Sequence, residues 1–385
     1  MLKRPFREHH ILKLLKGYEA QHLPLDLFLS HYFRANKALG SKDRAVITET
    51  IYAMVRWKGL LDHLCQKPPA WEKRLDKFHH FQPEEYLNRP NIPEHVRLSF
   101  PKTLYHLILD SFGEEKAREL CLVSNQPAPT TVRINPLKTT RKEMLNLWTP
   151  DYTISPCKVA KHGILFHKKI NFFGLPEFKA GLFEVQDEGS QLLADLMHVE
   201  PGQHVLDYCA GSGGKTLAFA HRMKGSGQIY LHDLRSAILL ECRKRMRRAG
   251  IQNSQIVKFD DPKLEKLKKR MDWVLVDAPC TGTGTMRRNP EMKWRFTEET
   301  LPRLIGQQRM IFEKALRYVR PGGRIVYGTC SLLQPENQDQ VEHFLRTYPL
   351  EIEGPFLQSL PKKGSMDGFF GAVLRTKTYE KTPLL

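Results

Sequence analysis

The 385-residue sequence has no C-x-x-C pair among its seven cysteines, no long apolar run and a shortage of acidic residues. Without C-x-x-C spacing, a zinc knuckle or redox dithiol has no sequence support, and we predict no metal site. An odd number of cysteines without a secretory signal favours reduced thiols and a cytoplasmic protein. The short apolar runs predict that no segment spans a membrane.

The shortage of acidic residues gives the chain a strong positive charge. Lys and Arg number 60 against 42 Asp and Glu, a formal net charge of +18. Such a surplus attracts polyanions by long-range steering and phosphate neutralisation. Charge alone does not distinguish between DNA, RNA and an anionic membrane surface as the partner. Because 41% of the residues are hydrophobic, the chain is expected to fold rather than remain disordered.

The pattern of apolar residues predicts three parts. Residues 1–120 repeat apolar positions every three to four residues, which indicates a helical domain. Residues 121–190 mix short strand and helix patterns, as in a small α+β module. Residues 191–385 alternate buried strands with helices, which predicts an α/β fold with a Rossmann-like parallel sheet covered on both faces. Such sheets bind ligands at the carboxyl ends of their strands.

A glycine-rich turn follows the first strand of the third part, in the sequence DYCAGSGGKT at residues 207–216. Its end resembles a phosphate-binding Walker A loop, but Cys209 stands where that loop needs its first glycine. A dinucleotide fingerprint would need a further glycine after Gly214. The methyltransferase version of this turn needs an acid after the second strand to bind ribose hydroxyls, and Asp233 occupies that position.

The turn therefore predicts S-adenosyl-L-methionine as the cofactor. Asp260 or Asp261, after the third strand, is expected to accept a hydrogen bond from the adenine amino group. The predicted cofactor-binding residues are Asp207, Cys209, Ala210, Gly211, Ser212, Gly213, Gly214, Lys215, Asp233, Asp260, Asp261 and Asp277.

Two cysteines follow neighbouring predicted strands, Cys280 in the sequence DAPC and Cys330 in the sequence TCS. Carbon 5 of a pyrimidine is a poor nucleophile until a group adds covalently to carbon 6, and a thiolate can make that addition. Two thiols beside a methyl-donor site thus indicate methylation of a pyrimidine carbon. The residues alone do not distinguish the roles of the two thiols.

Three segments resemble the RNA cytosine-5 methyltransferases of the RsmB/Sun group. They are CAGSGGKT at 209–216, DAPCTGTGTMRRNPEMKW at 277–294 and TCSLLQPENQDQVEHFL at 329–345. The resemblance, which covers about residues 120–385, implies that Cys330 is the nucleophile and that Cys280 assists product release. It also implies that Lys215 and Asp277 lie near the target base. The pair Gly211-Ser212 departs from the family's usual Ala-Pro, so cofactor affinity can differ.

The amino-terminal segment resembles the NusB-like helical domain of the RsmB branch, through GSKDRA at 40–45 and IYAMVRW at 51–57. This favours 16S ribosomal RNA as the substrate. We also expect the protein to act as a monomer. The alternatives are a transfer RNA cytosine-5 methyltransferase and a non-catalytic RNA-binding assembly factor on the same fold.

A basic segment with one aromatic residue closely follows Cys280. Cations with an interleaved aromatic suit phosphates and a stacked base of single-stranded RNA. The residues predicted to contact RNA are Arg287, Arg288, Lys293 and Trp294.

Overall fold

The structure is a computed structural model, and it describes residues 4–21 and 23–377. The chain forms two compact units, one of residues Met1–Pro127 with Thr285–Glu298, the other of Ala128–Gly284 with Glu299–Leu385. The ends of the predicted first and third domains, at residues 1 and 385, lie outside the described residues. The predicted first boundary, at residue 120, falls inside a helix that ends at Ser124.

The first unit is helical, as its apolar spacing predicts. Ile11, Leu14 and Leu15 lie on one face of the first helix and are buried in the core of the unit. Its main helices are α1 (Phe6–Glu19), α2 (Leu25–Ala35), α3 (Ser41–Arg56), α4 (Lys58–Leu64), α5 (Trp71–Phe78), α6 (Glu94–Arg97), α7 (Lys102–Phe112) and α8 (Glu114–Ser124).

The second unit begins with a small antiparallel sheet, the predicted α+β module. Its strands are β1 (Thr130–Ile134), β2 (Ile154–Pro156), β3 (Gly163–Phe166) and β4 (Phe183–Val185), in the order β2-β3-β1-β4. The helices are α9 (Arg141–Trp148) and α10 (Pro176–Lys179). Thr140 begins α9 with a capping box, in which it and Glu143 bond each other's backbone N–H groups. Trp148, at the end of α9, then packs edge-on against Phe166 and Phe183 of the sheet.

A larger sheet forms the rest of the second unit. Its strands are β5 (His204–Asp207), β6 (Gln228–Leu231), β7 (Ser254–Ile256), β8 (Met271–Asp277), β9 (Val319–Thr329), β10 (Leu350–Ile352), β11 (Leu357–Ser359) and β12 (Phe369–Thr376). The strand order is β10-β12-β9-β8-β5-β6-β7, with β11 paired to β12. The helices of this part are α11 (Glu188–Asp195), α12 (Gly214–Phe219), α13 (Ser236–Ala249), α14 (Lys263–Lys266), α16 (Thr300–Leu316) and α17 (Gln338–Thr347). A further helix, α15 (Met292–Arg295), belongs to the first unit.

The predicted Rossmann-like core is confirmed by β5 to β9, which pair in parallel. Beyond this parallel core, β12 pairs antiparallel with β9 and β10 pairs antiparallel with β12. β8 illustrates why the core is buried on both faces. Val274 and Val276 pack on one side of the sheet, whereas Trp273 and Leu275 pack on the other.

Residues 285–298 lie between β8 and α16 in the chain but pack with the first unit. The indole of Trp294 joins the core of that unit, and its Nε1 donates to Val55 O at 2.6 Å. Lys293 Nζ donates to Arg56 O at 2.7 Å and to Asn125 Oδ1 at 2.6 Å. The segment is therefore a structural part of the helical unit.

Among the helices within residues 4–21 and 23–377, none has the length and apolar character that a membrane crossing requires.

Candidate active site

A cleft of about 720 Å³ opens in the second unit, beside the carboxyl ends of β5, β6, β8 and β9. Because β8 and β9 are paired neighbours, with Asp277 opposite Gly328, the segments after these strands meet at one edge of the sheet. The predicted site residues that line the cleft are Cys209, Ala210, Gly211, Ser212, Gly214, Lys215, Asp233, Asp277, Cys280 and Cys330. The structure thus brings together most of the residues predicted from sequence.

The glycine-rich turn forms one wall of the cleft and depends on its glycines. Gly213 has φ +81°, a conformation that residues with a side chain rarely adopt. A Cβ atom at this position would lie 2.4 Å from Met246 Cε and 2.7 Å from Cys242 Sγ. The turn can therefore sit directly on α13 only with glycine at this position, and Gly213 shapes the wall from behind without lining the cleft.

Asp233 is held beside the turn as an anion. Its Oδ2 accepts from Gly211 N at 2.9 Å, and the Arg235 guanidinium bonds both carboxylate oxygens. Burial alone would raise the pKa of Asp233, but the hydrogen bonds from Arg235 and from Gly211 N outweigh it and lower the pKa. An ionised carboxylate at this position can accept hydrogen bonds from hydroxyl groups of a ribose.

Asp207 lies behind the turn rather than in the cleft. It is 1% exposed, and its Oδ2 accepts from Thr216 Oγ1 at 2.7 Å. Its Oδ1 has no hydrogen-bond partner among the described residues. Burial raises the pKa of Asp207 to about 7, and the nearby Asp277 charge adds to this effect. Asp207 therefore supports α12 and leaves one acceptor near the cofactor wall.

The apolar end of the cleft differs from the sequence prediction. Asp260 is exposed and Asp261 Oδ1 accepts from Lys263 N at 2.9 Å, and neither lines the cleft. The preceding Phe259 does so instead, with 62% of its surface exposed. The contact of Asp260 or Asp261 with adenine therefore stays a prediction, and Phe259 is the residue of this turn that lines the cleft.

The cleft suits S-adenosyl-L-methionine. Leu234, Phe259 and Met310 present large apolar surfaces that are at least half exposed, which suits a flat adenine ring. Asp233 supplies the acceptor for ribose, and Asp277, which lines the cleft, suits the positive charges of the methionine part. The acids of this set were recognised in the sequence. The apolar residues were not, because an exposed Leu or Met carries no sequence signal.

The two thiols lie side by side. Cys280 Sγ and Cys330 Sγ are 3.4 Å apart, and both side chains are half-buried at the floor of the cleft. The hydrogen bond with Cys330 raises the pKa of Cys280 well above its ordinary value, and burial and the Cys330 charge add to this. Either sulfur atom can donate the hydrogen bond between them, and their 3.4 Å separation lets both thiols act on one base.

Lys215 and Asp277 form an ion pair beside the thiols. Lys215 Nζ donates to Asp277 Oδ2 at 2.7 Å and lies 5.3 Å from the centre of the Phe369 ring. Burial lowers the pKa of Lys215, but the charge of Asp277 and its hydrogen bond outweigh this and raise the pKa. Lys215 thus stays charged, and the second oxygen of Asp277 remains an acceptor for a ligand.

Two further segments of the second unit, at residues 183–190 and 367–370, support Cys330 from behind. Asp187 Oδ1 accepts from Asp367 N at 3.1 Å, and Gly368 N donates to Gly284 O at 2.9 Å. Gly284 N in turn donates to Cys330 O at 2.9 Å. A Cβ atom on Gly284 would lie 2.2 Å from Gly368 O, so the three segments can approach only through glycine.

The predicted RNA-contacting residues do not form an exposed strip. Arg287 and Lys293 are each 2% exposed, so assigning RNA contacts to these two side chains is wrong. Burial lowers the pKa of Lys293 well below its ordinary value, and its Nζ is committed to Arg56 O and Asn125 Oδ1. Trp294 is half-buried and its N–H is committed to Val55. Arg288 is half-buried, and its contact with RNA stays a prediction.

Comparison with known proteins places these features in context. A family described as 16S rRNA methyltransferase RsmB/F matches residues 194–375, and an RsmF/B-like ferredoxin-like domain matches residues 100–172. A probable ribosomal RNA small subunit methyltransferase B of Synechocystis is 32% identical over 318 residues, covering 76% of this chain and 70% of the relative. The ribosomal RNA small subunit methyltransferase B of Vibrio vulnificus is 31% identical over 330 residues, covering 83% and 74%.

A solved structure agrees with these sequence matches. A methyltransferase homolog protein from Pyrococcus horikoshii has a TM-score of 0.64 at 27% identity, over 73% of this chain and 97% of that one. The match over residues 194–375 includes the large sheet and both paired thiols.

Proposed function

The chain belongs to the RsmB/F family of 16S rRNA methyltransferases, and from this premise we propose that it methylates carbon 5 of a cytosine in small-subunit ribosomal RNA. Its cofactor is S-adenosyl-L-methionine. The observation that carries the proposal is the 3.4 Å distance between Cys280 Sγ and Cys330 Sγ at the floor of the cofactor cleft. A nitrogen or oxygen acceptor needs no thiol, whereas a pyrimidine carbon needs one to add and a base to complete the release.

Cys330 starts the reaction. Its thiolate electron pair forms a bond to carbon 6 of the cytosine, and the carbon 5–carbon 6 double-bond pair moves to make carbon 5 nucleophilic. Bound S-adenosyl-L-methionine supplies a methyl group on a positively charged sulfur. Carbon 5 takes that methyl group, and S-adenosylhomocysteine is left.

Cys280 completes the reaction. Once Cys330 is bonded to carbon 6, Cys280 is the thiol that lies beside the adduct. After its own proton has passed to water, the Cys280 thiolate takes the proton from carbon 5. The carbon 5–hydrogen pair restores the double bond, the sulfur–carbon 6 bond breaks, and Cys330 leaves as a thiolate.

Asp277 and Lys215 orient the base. The free acceptor capacity of Asp277 suits the 4-amino group of cytosine, which uracil lacks. Lys215 holds that carboxylate in place through their 2.7 Å hydrogen bond. We assign base orientation to this pair on the ground that it lines the cleft beside both thiols.

The test of this proposal is the position of the methyl group. Small-subunit ribosomal RNA, large-subunit ribosomal RNA and transfer RNA are incubated separately with the protein and S-adenosyl-L-methionine, and then analysed by bisulfite sequencing. We expect one or a few new protected cytosines in the small-subunit RNA alone. Methylated transfer RNA instead would redirect the substrate assignment, and methylation at any other atom would overturn the thiol mechanism.

A further inference from the structure

Glu336 is a fully buried acid whose hydrogen bonds converge on the segment that carries Cys280. It is 0% exposed and lies seven residues beyond the end of β9. Its Oε1 accepts from Thr281 N and from Gln308 Nε2, both at 2.9 Å, and its Oε2 accepts from Thr281 Oγ1 at 2.5 Å. A carboxylate only accepts hydrogen bonds, so its two oxygens can bond all three donors at the same time.

Gln308 extends this contact to the other side of Cys280. Its Nε2 also donates to Pro279 O at 3.0 Å, and its Oε1 accepts from Gln340 Nε2 at 2.8 Å. The second bond fixes which way the amide of Gln308 faces. The residues immediately before and after Cys280 are therefore both held, one by Gln308 and one by Glu336.

The same network reaches the segment that carries Cys330. Ser331 Oγ lies 3.2 Å from both Thr281 Oγ1 and Thr283 Oγ1. Thr283 Oγ1 in turn accepts from Leu332 N at 2.7 Å. The hydroxyl groups thus connect the residues that follow each cysteine. The separation of the two sulfur atoms depends on this buried network, since both thiols lie on loops beyond the strand ends.

We propose that Glu336 is a positioning residue for the release step, which keeps Cys280 within reach of the carbon 5 proton while Cys330 is bonded to carbon 6. Glu336 does not line the cleft and acts through Thr281. The inference rests on the proposed function, because release matters only if a covalent adduct forms. If Cys280 is no longer held in this position, Cys330 can still attack and the methyl group can still be transferred, but the sulfur–carbon 6 bond breaks more slowly.

The test uses Glu336→Gln in the full chain, because Gln has the same shape but turns an NH₂ group toward existing donors. Wild type, Glu336→Gln and Cys280→Ala are mixed with a small-subunit ribosomal RNA transcript and S-adenosyl-L-methionine. Protein–RNA adduct is measured on a denaturing gel, and free methylated RNA is measured over time. For Glu336→Gln we expect an adduct fraction at least about tenfold above wild type and product release slower by about tenfold, since small misplacements of reacting groups cost this much.

The matched control is Glu188→Gln. Glu188 is also buried, at 5% exposed, and its Oε1 accepts from Val159 N at 2.8 Å and Ala160 N at 3.0 Å, neither of which adjoins Cys280 or Cys330 in the chain. This variant loses stability but accumulates no more adduct than wild type. If Glu336→Gln does not fold, Gln308→Met carries the same test, because it removes the donor to Glu336 and Pro279.

The outcomes separate the two proposals. Adduct in Cys280→Ala together with wild-type release in Glu336→Gln would overturn the role of Glu336 alone. Equal adduct in Glu188→Gln would also overturn it, because any buried acid would then have the effect. Absence of adduct in Cys280→Ala would overturn the covalent mechanism, and the role of Glu336 with it.

Discussion

At the residue scale, the two acids of the cofactor wall have opposite environments. Asp207 is buried, one of its oxygens has no hydrogen-bond partner within residues 4–21 and 23–377, and its pKa is raised to about 7, whereas the bonds from Arg235 and Gly211 lower the pKa of Asp233. Folding therefore favours the protonated, neutral form of Asp207, whereas it favours the ionised form of Asp233. The free energy of unfolding should therefore change with pH because of Asp207, in a pH range where Asp233 makes a constant contribution.

We predict that Asp207→Asn flattens the dependence of stability on pH between pH 4 and 7. In this window the folded wild type binds a proton at Asp207 that the unfolded chain, with a pKa of 3.8, releases. Stability therefore falls as pH rises, by at most about 1.4 kcal/mol per pH unit, and is constant above the folded pKa. Urea unfolding of both proteins at a series of pH values measures this.

Asp233→Asn serves as the control for that experiment. The pKa of Asp233 is lowered on folding, so its contribution is present above its unfolded pKa and is lost only as pH falls below that value. The Asp233 variant should keep the wild-type slope between pH 5 and 7. An equal slope in wild type and Asp207→Asn would contradict the burial argument.

At the element scale, the packing of residues 285–298 gives the basic residues of this segment a structural role. The cations after Cys280 suggested an RNA contact, but Lys293 donates to Arg56 O and Asn125 Oδ1 inside the helical unit. Its ammonium also lies 4.4 Å from the centre of the Phe100 ring. The segment stabilises the first unit through a lysine that water does not reach.

Replacement of this lysine should therefore affect stability rather than RNA binding. Lys293→Met leaves two buried acceptors without their donor, and we expect a loss of about 1–3 kcal/mol in the free energy of unfolding. The salt dependence of RNA binding should stay unchanged, whereas loss of a phosphate contact lowers the slope by about 0.7–0.9. Urea unfolding and RNA titration at several salt concentrations measure both quantities.

Lys244→Met is the matched control, because the Lys244 side chain is 78% exposed. It should change the free energy of unfolding by less than about 0.5 kcal/mol. A Lys293 variant of wild-type stability with a reduced salt slope would restore the original assignment of this residue to RNA.

The strands of the large sheet could be predicted better than their partners in space. β5, β6, β8 and β9 each contain an apolar run, followed by a glycine or an acidic residue, that indicates a buried strand in the sequence. The antiparallel β12 was missed because a lone apolar strand near the end of the chain carries no direction in its sequence. Strand direction is decided by pairing with β9, which lies about forty residues earlier.

The residues of the candidate site also divide into those that could be predicted from sequence and those that could not. Glycine, acid and cysteine positions at strand ends could be predicted, because parallel strands bring their carboxyl ends to one edge. Glu336 and Phe259 could not, since the role of each depends on contacts with residues distant in the chain. Lys293 was misjudged because a lysine is rarely buried, and only its two acceptors explain why it is buried here.

At the scale of the whole molecule, the charge of +18 does not act entirely from the surface. Several cations are buried, among them Arg56, Arg74, Arg133, Arg287 and Lys293. The surplus therefore remains a reason to expect a polyanion, while the choice of RNA depends on the thiol pair and on family membership. The central claim is thus a chemical one about two sulfur atoms.

The most direct test of that claim compares wild type, Cys330→Ala and Cys280→Ala on small-subunit ribosomal RNA with S-adenosyl-L-methionine, by denaturing gel and methyl transfer. We predict that Cys330→Ala binds the cofactor but transfers no methyl group and forms no adduct. We predict that Cys280→Ala accumulates a covalent protein–RNA species that the denaturing gel retains. Full methyl transfer by both variants, or adduct in the Cys330 variant, would contradict the account.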